Sequence, residues 1–318
     1  MSSQMPGLRV GLAIIVGVLT CAAARAAVII DNDDGAPTAV TSGSWSTSSA
    51  TGGYYGSNYY HDNNTQDGSK SITYTPTLTE TRVYTVTARW TGGGNRATNA
   101  PYVINHAGGS TTVYVDQRTG GGTFNVLGNY TFNAGTSGNV VLSNTGTDGY
   151  VIADAVSFDP LFVVVDNPQA SLVGSWITSS ANSGYVGSNY IQDGNTGKGS
   201  KSATYTPNLP YAGIWEVLIN YTSNTNRATN VPVDINYFGG SHTATVDQTT
   251  GGGTWQSLGS YTFRAGTVGN TVIRTTDTDN YVIADAFQFR LLSLVTIPEP
   301  TTAALFTLFG AGLLRRRR

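Results

Sequence analysis

The stretch Val83-Tyr84-Thr85-Val86-Thr87-Ala88-Arg89-Trp90 alternates apolar and polar side chains. In an extended chain, one face carries tyrosine, valine, alanine and tryptophan, and the opposite face carries the threonines and the arginine. The stretch therefore predicts a β-strand with one buried and one solvated face, as in antiparallel sheets. The alternation returns about 131 residues later. The apolar positions there are Trp215, Val217, Ile219 and Tyr221.

The whole central part of the chain is duplicated. Residues 43–158 align without a gap to residues 174–289, and about 68 of roughly 116 aligned positions are identical. Solenoid repeats run to about 20–50 residues, so a period of this length indicates a duplicated domain. The sequence predicts one domain over residues 28–159 and a second over residues 163–290.

Other runs rich in Thr, Val, Tyr and Ile also read as strands, and glycine clusters separate them. No segment between the termini has apolar residues at helical spacing. Seven or eight short strands in about 130 residues favour an antiparallel, jelly-roll-like β-sandwich. The predicted fold class is all-β, with two tandem sandwiches and a short hydrophobic helix at each terminus.

The composition argues against a nucleic-acid partner. Only 11% of the 318 residues are charged and the net charge is -2, so the chain has no basic field for phosphates. With 39% hydrophobic residues, the chain has enough apolar surface to fold.

The N-terminus has the parts of a secretory signal peptide over residues 1–26. Arg9 precedes the apolar run 10–19, and Ala24 and Ala26 form a small-residue cleavage site. An uncleaved membrane helix would need about 20 apolar residues. Cys21 is the single cysteine, and the bulky residues before it do not favour lipidation. Cleavage after Ala26 would leave a mature chain without thiols or disulfides.

The C-terminal segment, residues 297–318, also has the pattern of a targeting signal. Pro298, Glu299 and Pro300 precede an apolar run over 301–314 and four terminal arginines. This order resembles the PEP-CTERM sorting signal of exopolysaccharide-producing Gram-negative bacteria. The resemblance implies export machinery and an exosortase-type protease as partners, membrane anchoring through the helix, transient or lasting, and delivery to the cell surface or matrix. A plain tail anchor is the alternative.

Several separated motifs of the duplicated domain resemble one family. The motifs in the first copy are Gly53-Tyr54-Tyr55-Gly56-Ser57-Asn58-Tyr59, Asn95-Arg96-Ala97-Thr98-Asn99-Ala100-Pro101, Val115-Asp116-Gln117, Leu127-Gly128-Asn129-Tyr130-Thr131-Phe132 and Val151-Ile152-Ala153-Asp154-Ala155. Together they resemble the golvesin C-terminal, or xanthan-lyase carbohydrate-binding-like, domain. The resemblance implies a β-sandwich accessory module of secreted bacterial proteins, often beside enzymes that act on polysaccharide. It supplies no established ligand residues.

Polysaccharide binding requires aromatic rings that stack on sugars and polar groups that orient hydroxyls. The candidate contacts are Trp45, Tyr54, Tyr55, Tyr59, Asp62 and Arg96 in the first copy, and Trp176, Tyr185, Tyr190, Asp193 and Arg227 in the second. Aromatic residues kept in both copies, such as Trp45 and Tyr59, are equally expected in a core. Tyr55, which becomes Val186, is expected to be more exposed than its neighbours.

Arg96 and Arg227 occupy identical Asn-Arg-Ala-Thr-Asn turns. A guanidinium can make a paired contact with a uronic-acid or pyruvyl carboxylate of an anionic polysaccharide. Alternatively, Arg96 pairs with Asp154 or Asp116 and stabilises the fold.

The sequence predicts no metal or cofactor. His61, His106 and Asp62 could form a metal or acid-base site, but the second copy has Gln192 and Tyr237 at the histidine positions. Residues 62–68 depart from the calcium loop of an EF-hand, although a structural calcium elsewhere stays open.

These observations favour an exported, non-catalytic surface protein whose two modules bind or organise extracellular polysaccharide. One alternative is a structural or adhesive matrix protein that acts through protein contacts. A further alternative is a polysaccharide lyase or hydrolase that uses His61, His106, Asp62 or Arg96.

Overall fold

The computed structural model describes residues 27–297 of the chain. They form 24 strands and one 3-10 turn at Asn167–Gln169, and all pairings between these strands are antiparallel. The prediction of an all-β fold with antiparallel sheets is confirmed. No helix within residues 27–297 has the length and apolar character to cross a bilayer. The predicted signal peptide, and the predicted sorting signal apart from Ile297, lie outside the described residues.

Residues 28–160 contain three sheets. The strands are β1 Val28–Ile30, β2 Ala39–Ser42, β3 Ser46–Ser48, β4 Tyr59–His61, β5 Asp67–Tyr74, β6 Arg82–Arg89, β7 Ala100–His106, β8 Gly109–Val115, β9 Asn125–Phe132, β10 Asn139–Thr145, β11 Ile152–Ala153 and β12 Ala155–Pro160. A four-stranded sheet has the order β1-β12-β6-β9, and a five-stranded sheet has the order β2-β5-β10-β7-β8. Three short strands, β11-β4-β3, form the third sheet.

Residues 162–294 repeat this arrangement. The strands are β13 Phe162–Asp166, β14 Ser171–Val173, β15 Ile177–Ser179, β16 Tyr190–Gln192, β17 Ser202–Tyr205, β18 Gly213–Asn220, β19 Val231–Tyr237, β20 Gly240–Val246, β21 Gln256–Phe263, β22 Asn270–Arg274, β23 Ile283–Ala284 and β24 Ala286–Leu294. The sheet orders are β13-β24-β18-β21, β14-β17-β22-β19-β20 and β15-β16-β23.

The alternating strand of the first copy, β6, lies inside its four-stranded sheet between β12 and β9. Tyr84 and Val86 on its apolar face, and Trp90 directly after the strand, are buried in one cluster with Ile72 and Leu142 of the five-stranded sheet. Burial of a large apolar side chain stabilises a fold by about 1.5–3 kcal/mol, so this layer between two sheets is the main source of stability. The second copy buries the equivalent face of β18 in its own core.

The predicted glycine-rich breaks form close backbone contacts. A Cβ atom on Gly121 would lie 2.1 Å from the backbone nitrogen of Gly92, and one on Gly252 would lie 2.1 Å from that of Ser223. Only glycine permits this approach. In both copies, the contact fixes the loop that carries the aromatic residue just before β9 or β21.

The two four-stranded sheets meet at the residue between β12 and β13. The amide of Leu161 donates to the carbonyl of Val83 at 3.2 Å, and its carbonyl accepts from the amide of Leu291 at 3.1 Å. Val83, on β6 of the first copy, is fully buried within the apolar cluster of the second copy. Backbone bonding and apolar packing thus join the two halves.

Buried aspartates tie the short sheet to its neighbouring loop. Asp62 is fully buried, and its Oδ1 accepts hydrogen bonds from the amides of Asn64 at 3.0 Å and Val151 at 2.9 Å. In the second copy, Asp193 accepts from the amides of Asn195 and Val282, each at 2.9 Å. These two side chains therefore bond inside the fold and present no surface to a polysaccharide.

A second pair of buried aspartates holds the tyrosine-rich loop. The carboxylate of Asp154 accepts from the amide of Tyr55 at 3.0 Å, and that of Asp285 accepts from the amide of Val186 at 3.1 Å. Burial raises the pKa of Asp154 to about 7 and that of Asp285 to about 8, although the amide hydrogen bonds oppose the shift.

We predict that the folded chain loses stability as the pH rises from about 4 to 8. The pKa values of Asp154 and Asp285 are raised above the unfolded value of about 3.9. The folded state therefore binds these protons more tightly, and the stabilisation, complete below about pH 4, disappears through pH 7 to 8. The melting temperature of the full chain should fall by roughly 5 °C between pH 5 and 8.5. The double variant Asp154→Asn, Asp285→Asn should reduce the slope of this profile, whereas the exposed Asp148→Asn should not. An unchanged slope in the double variant would contradict the assignment.

We also predict that Asp62→Ala destabilises the chain by about 2–4 kcal/mol, since two buried amides lose their acceptor. Asp62→Asn keeps one carbonyl oxygen as an acceptor, so its free energy of unfolding should fall clearly less. The measurement is urea unfolding, with Asp193→Ala as the parallel change in the second copy. A free energy of unfolding equal to that of the unaltered chain would show that water replaces the carboxylate.

Candidate functional site

Five side chains gather beside the short sheet β11-β4-β3 of the first copy. The rings of Tyr54 and Tyr59 lie 6.2 Å apart between centroids, and the guanidinium carbon of Arg96 lies 5.9 Å from the Tyr59 centroid. His61 lies 6.4 Å from Tyr59 and 5.8 Å from Tyr150. Tyr59 is buried, and the other four are half-buried. We name this group the Tyr-Arg cluster.

The backbone explains why these side chains meet. Tyr59 and His61 are two residues apart on β4, so they point to the same side of the short sheet. The turn before Ala97 closes when the amide of Arg96 donates to the carbonyl of Gly93 at 3.0 Å. Arg96 then pairs with Tyr150 through an isolated parallel bridge. Three segments distant in sequence therefore converge at one end of the sandwich.

The arginine of the cluster is held by neutral groups. In the described part of the chain, Arg96 donates to the carbonyl of Thr91 at 3.3 Å, to Oδ1 of Asn95 at 2.9 Å and to Oγ1 of Thr51 at 3.3 Å. Neither aspartate considered as its partner pairs with it. Asp116 forms a 2.7 Å ion pair with Arg118, and the carboxylate of Asp154 binds the loop amide described above.

At neutral pH the Tyr-Arg cluster carries one positive charge, on the guanidinium of Arg96. Burial alone would raise the pKa of Tyr59, but hydrogen bonds with Ser48 and Thr51 and the charge of Arg96 lower it below its usual value. Burial and the charge of Arg96 lower the pKa of His61. At neutral pH His61 is therefore largely uncharged, and the guanidinium remains the charged group available to an anion.

The equivalent group of the second copy is more closed. The rings of Tyr185 and Tyr190 lie 6.1 Å apart, and Arg227 lies 5.9 Å from the Tyr190 centroid. Arg227 is only 6% exposed, and its Nη2 donates to the Tyr190 hydroxyl at 3.4 Å. Asn226 accepts from its Nη1 at 2.9 Å. The second guanidinium is thus mostly used within the fold.

The two candidate tryptophans lie apart from these groups. The indole N–H of Trp45 donates to the carbonyl of Ser71 at 3.1 Å, and that of Trp176 donates to the carbonyl of Val173 at 3.1 Å. Both rings are half-buried and pack against their cores. They border the five-stranded sheets and do not join the Tyr-Arg cluster.

Tyr55 belongs to a different surface group, which includes a residue that the sequence reasoning missed. Its ring meets Phe124 edge-on at 5.8 Å, and the guanidinium carbon of Arg89 lies 5.8 Å from the Phe124 centroid. Tyr55 is half-buried, as Tyr54 is. An aromatic residue directly after Gly-Gly-Gly-Thr in both copies, Phe124 and Trp255, was the available sequence signal.

The two histidines considered for chemistry occupy different sheets. His61 lies on β4, whereas His106 ends β7 and stacks on Tyr130 at 5.0 Å. Within residues 27–297, no three His, Cys, Asp or Glu side chains are grouped closely enough to hold a metal ion. In the segment considered as a calcium loop, Asp62 and Asp67 bond to amides, at Asn64 and Ser69 respectively.

Several known proteins are similar to parts of this chain. A xanthan lyase of Bacillus sp. strain GL1 is 44% identical over 133 residues, which are 40% of this chain and 14% of the lyase. The solved xanthan lyase of Paenibacillus is 29% identical with a TM-score of 0.44, covering 85% of this chain and 25% of that one. The tandem CBM22 domains of a Paenibacillus barcinonensis protein are 10% identical with a TM-score of 0.36, covering 85% of this chain and 100% of that one.

The family model of the golvesin C-terminal domain matches the chain twice, over residues 28–160 and residues 163–291. The two matches coincide with the two sets of three sheets. The chain belongs to the golvesin C-terminal domain family, with two tandem copies of that domain.

Proposed function

We propose that this chain is an exported, non-catalytic surface protein whose tandem domains bind or organise extracellular polysaccharide. The observation that carries the proposal is the pairing of two family domains, one of which has a half-exposed arginine beside aromatic rings. The xanthan lyase of Bacillus shares such a domain over only 14% of its length, so its activity does not transfer to this chain.

The Tyr-Arg cluster supplies the chemistry for an acidic glycan. Tyr54 offers a ring face, and Arg96 offers a guanidinium that no described carboxylate neutralises. A uronic-acid or pyruvyl carboxylate can accept two parallel hydrogen bonds from a guanidinium. Stacking of the sugar on a neighbouring ring adds apolar contact.

The tandem arrangement can raise the overall affinity for a polymer when each single site binds weakly. Leu161 directly connects β12 and β13, so the Tyr-Arg cluster and a different contact surface on the second domain can reach one polymer chain if they face the same side. Linked sites gain about 10²- to 10⁴-fold in overall affinity when both engage. This gain suits a protein that organises long, repetitive chains.

Export and surface delivery belong to the same proposal. The signal pattern over residues 1–26 and the sorting pattern over residues 297–318 supply the route. Their implied partners are the export machinery, an exosortase-type protease and the membrane. A secreted or surface location is where a domain of this family would meet extracellular polysaccharide.

A structural or adhesive role through protein contacts is the second candidate. Three apolar side chains are exposed near one edge of the second domain, with Leu172 at 46%, Val173 at 59% and Ile177 at 50%. Clusters of exposed apolar residues are typical of protein contact surfaces. This role predicts self-association without retention by glycans.

Affinity electrophoresis of the full chain tests the proposed function. We expect retardation in gels that contain xanthan, and Arg96→Ala should weaken binding about 10- to 100-fold because a charged hydrogen bond contributes about 1.5–3 kcal/mol. Arg118→Ala is the matched control, since it removes the same charge from a paired arginine with 48% side-chain exposure.

Unretarded migration in every acidic and neutral polysaccharide gel would contradict binding. Oligomers that dissociate in a variant with Leu172→Ser and Ile177→Ser would then support the adhesive role. Equal losses in Arg96→Ala and Arg118→Ala would mean that general charge, rather than the Tyr-Arg cluster, causes retention. The melting temperatures of all variants show whether each remains folded.

A further inference from the structure

An open groove of about 470 Å³ lies between the two domains, away from the Tyr-Arg cluster. Its floor is the outer face of the sheet β13-β24-β18-β21, and its rim includes the loop between β5 and β6 of the first domain. The lining residues used below are Glu80, Glu216, Trp255, Ser257 and Arg290. Because both domains supply atoms, the groove exists only in the tandem protein.

Trp255 differs from the other four tryptophans of the chain. Each of those four donates its indole N–H to a backbone carbonyl; they are Trp45, Trp90, Trp176 and Trp215. Within the described residues, Trp255 has no acceptor for its indole N–H and no stacking partner. It is half-buried and is not among the rings packed against the core of the second domain. Its ring face and its donor are therefore available to a ligand.

Two carboxylates accompany this ring. The side chain of Glu80 is 43% exposed and that of Glu216 is 24% exposed. Each carboxylate pairs with an arginine of little exposure: Arg82 lies 3.2 Å from Glu80, and Arg290 lies 3.8 Å from Glu216. The carboxylate is thus the more exposed partner of each pair, and the guanidinium groups are nearly covered.

A hydroxyl already uses one of these acceptors. Oγ of Ser257 donates to Oε1 of Glu216 at 2.8 Å. This contact shows the geometry that a sugar hydroxyl would adopt at the same carboxylate, whose second oxygen faces Arg290. Charge-assisted hydrogen bonds to a carboxylate are stronger than neutral ones.

The equivalent position of the first domain is already covered by the protein itself. Phe124 contacts Tyr55 edge-on, and Arg89 lies over its ring. The second copy has Val186 and Asn220 at the positions of Tyr55 and Arg89. Both covering groups are thus lost in the copy whose aromatic residue lines the groove.

We propose that the interdomain groove is a second glycan site, which binds a neutral pyranose chain by stacking on Trp255 and by hydroxyl contacts to Glu80 and Glu216. An anionic sugar is disfavoured because the exposed charges of the groove are carboxylates. This inference rests on the proposed function in one respect, namely that the ligand is a glycan. The site lies elsewhere on the protein, and its ligand is neutral instead of acidic.

Titration calorimetry of the full chain tests this site with three neutral probes, cellohexaose, mannohexaose and isomaltohexaose, and with one acidic probe, hexagalacturonate. At least one neutral probe should bind and shift the tryptophan emission to shorter wavelength. Trp255→Ala should weaken that binding at least tenfold and abolish the shift, whereas Trp255→Phe should retain part of the affinity. Phe124→Ala, the matched change in the first domain, should leave it unchanged.

Binding of none of the neutral probes, or equal affinity in Trp255→Ala and the unaltered chain, would overturn the groove site. Preference for hexagalacturonate at Trp255 would overturn the assigned charge. Arg96→Ala separates this proposal from the proposed function, because it should weaken only acidic binding. If Arg96→Ala does not change retention by the acidic polysaccharide while Trp255→Ala still weakens binding of the neutral probe, the groove alone is the glycan site. If Arg96→Ala weakens retention while Trp255→Ala changes nothing, only the Tyr-Arg cluster is a glycan site.

Discussion

The fold depends on carboxylates that satisfy backbone amides where strands give way to loops. The described residues lack cysteine, so no disulfide constrains these loops, and a buried amide without an acceptor is costly. Asp62 and Asp193 each join a loop amide to an amide beside the short sheet. Asp154 performs a similar task for the loop that carries Tyr54. Buried carboxyl groups thus hold the loops from which the rings and the guanidinium of the Tyr-Arg cluster extend. This explains why a chain with only 11% charged residues places several of them in its interior.

The periodicity of the sequence predicted the long strands, and the duplication predicted that two equivalent units exist. In strand β6 the prediction of the apolar face succeeded, because Tyr84, Val86 and Ala88 are all buried. The predicted solvated face was wrong in part, since Val83 and Thr87 on it are buried as well. The short strands β3 and β4 were not predicted, because three residues carry too little periodicity and pairing across the sheet defines them. Sequence also could not show whether Asp62 is exposed, since its partner amide at Val151 is 89 residues away. Motif content singled out Tyr54, Tyr59 and Arg96 as candidates, but their convergence was not predicted, and the part played by Tyr150 required the parallel bridge.

Duplication left two copies of one framework and allowed their surfaces to diverge. The framework aspartates and the Asn-Arg-Ala-Thr-Asn turns are identical, yet Arg96 remains half-exposed and Arg227 is nearly buried. Where the first copy has Tyr55, Arg89 and Phe124 in mutual contact, the second has Val186, Asn220 and Trp255. A change of three side chains thus converts a covered ring into an open one without altering the strand order. The two domains are better understood as two different surfaces on one scaffold than as two equal binding modules.

The junction between the domains combines rigidity with an exposed polar lining. Val83 fills part of the second core while Leu161 bonds to both neighbouring strands, so relative motion of the domains would break apolar packing and backbone bonds together. Burial lowers the pKa of Arg82, Glu80 opposes that shift, and the nearby charge of Arg290 reinforces it. Two guanidinium groups this close would repel each other, and each carboxylate offsets that repulsion from the solvent side. The same carboxylates that stabilise the junction thereby become the acceptors that line the groove. A site built in this way depends on the domain junction, and a single copy of the domain could not reproduce it.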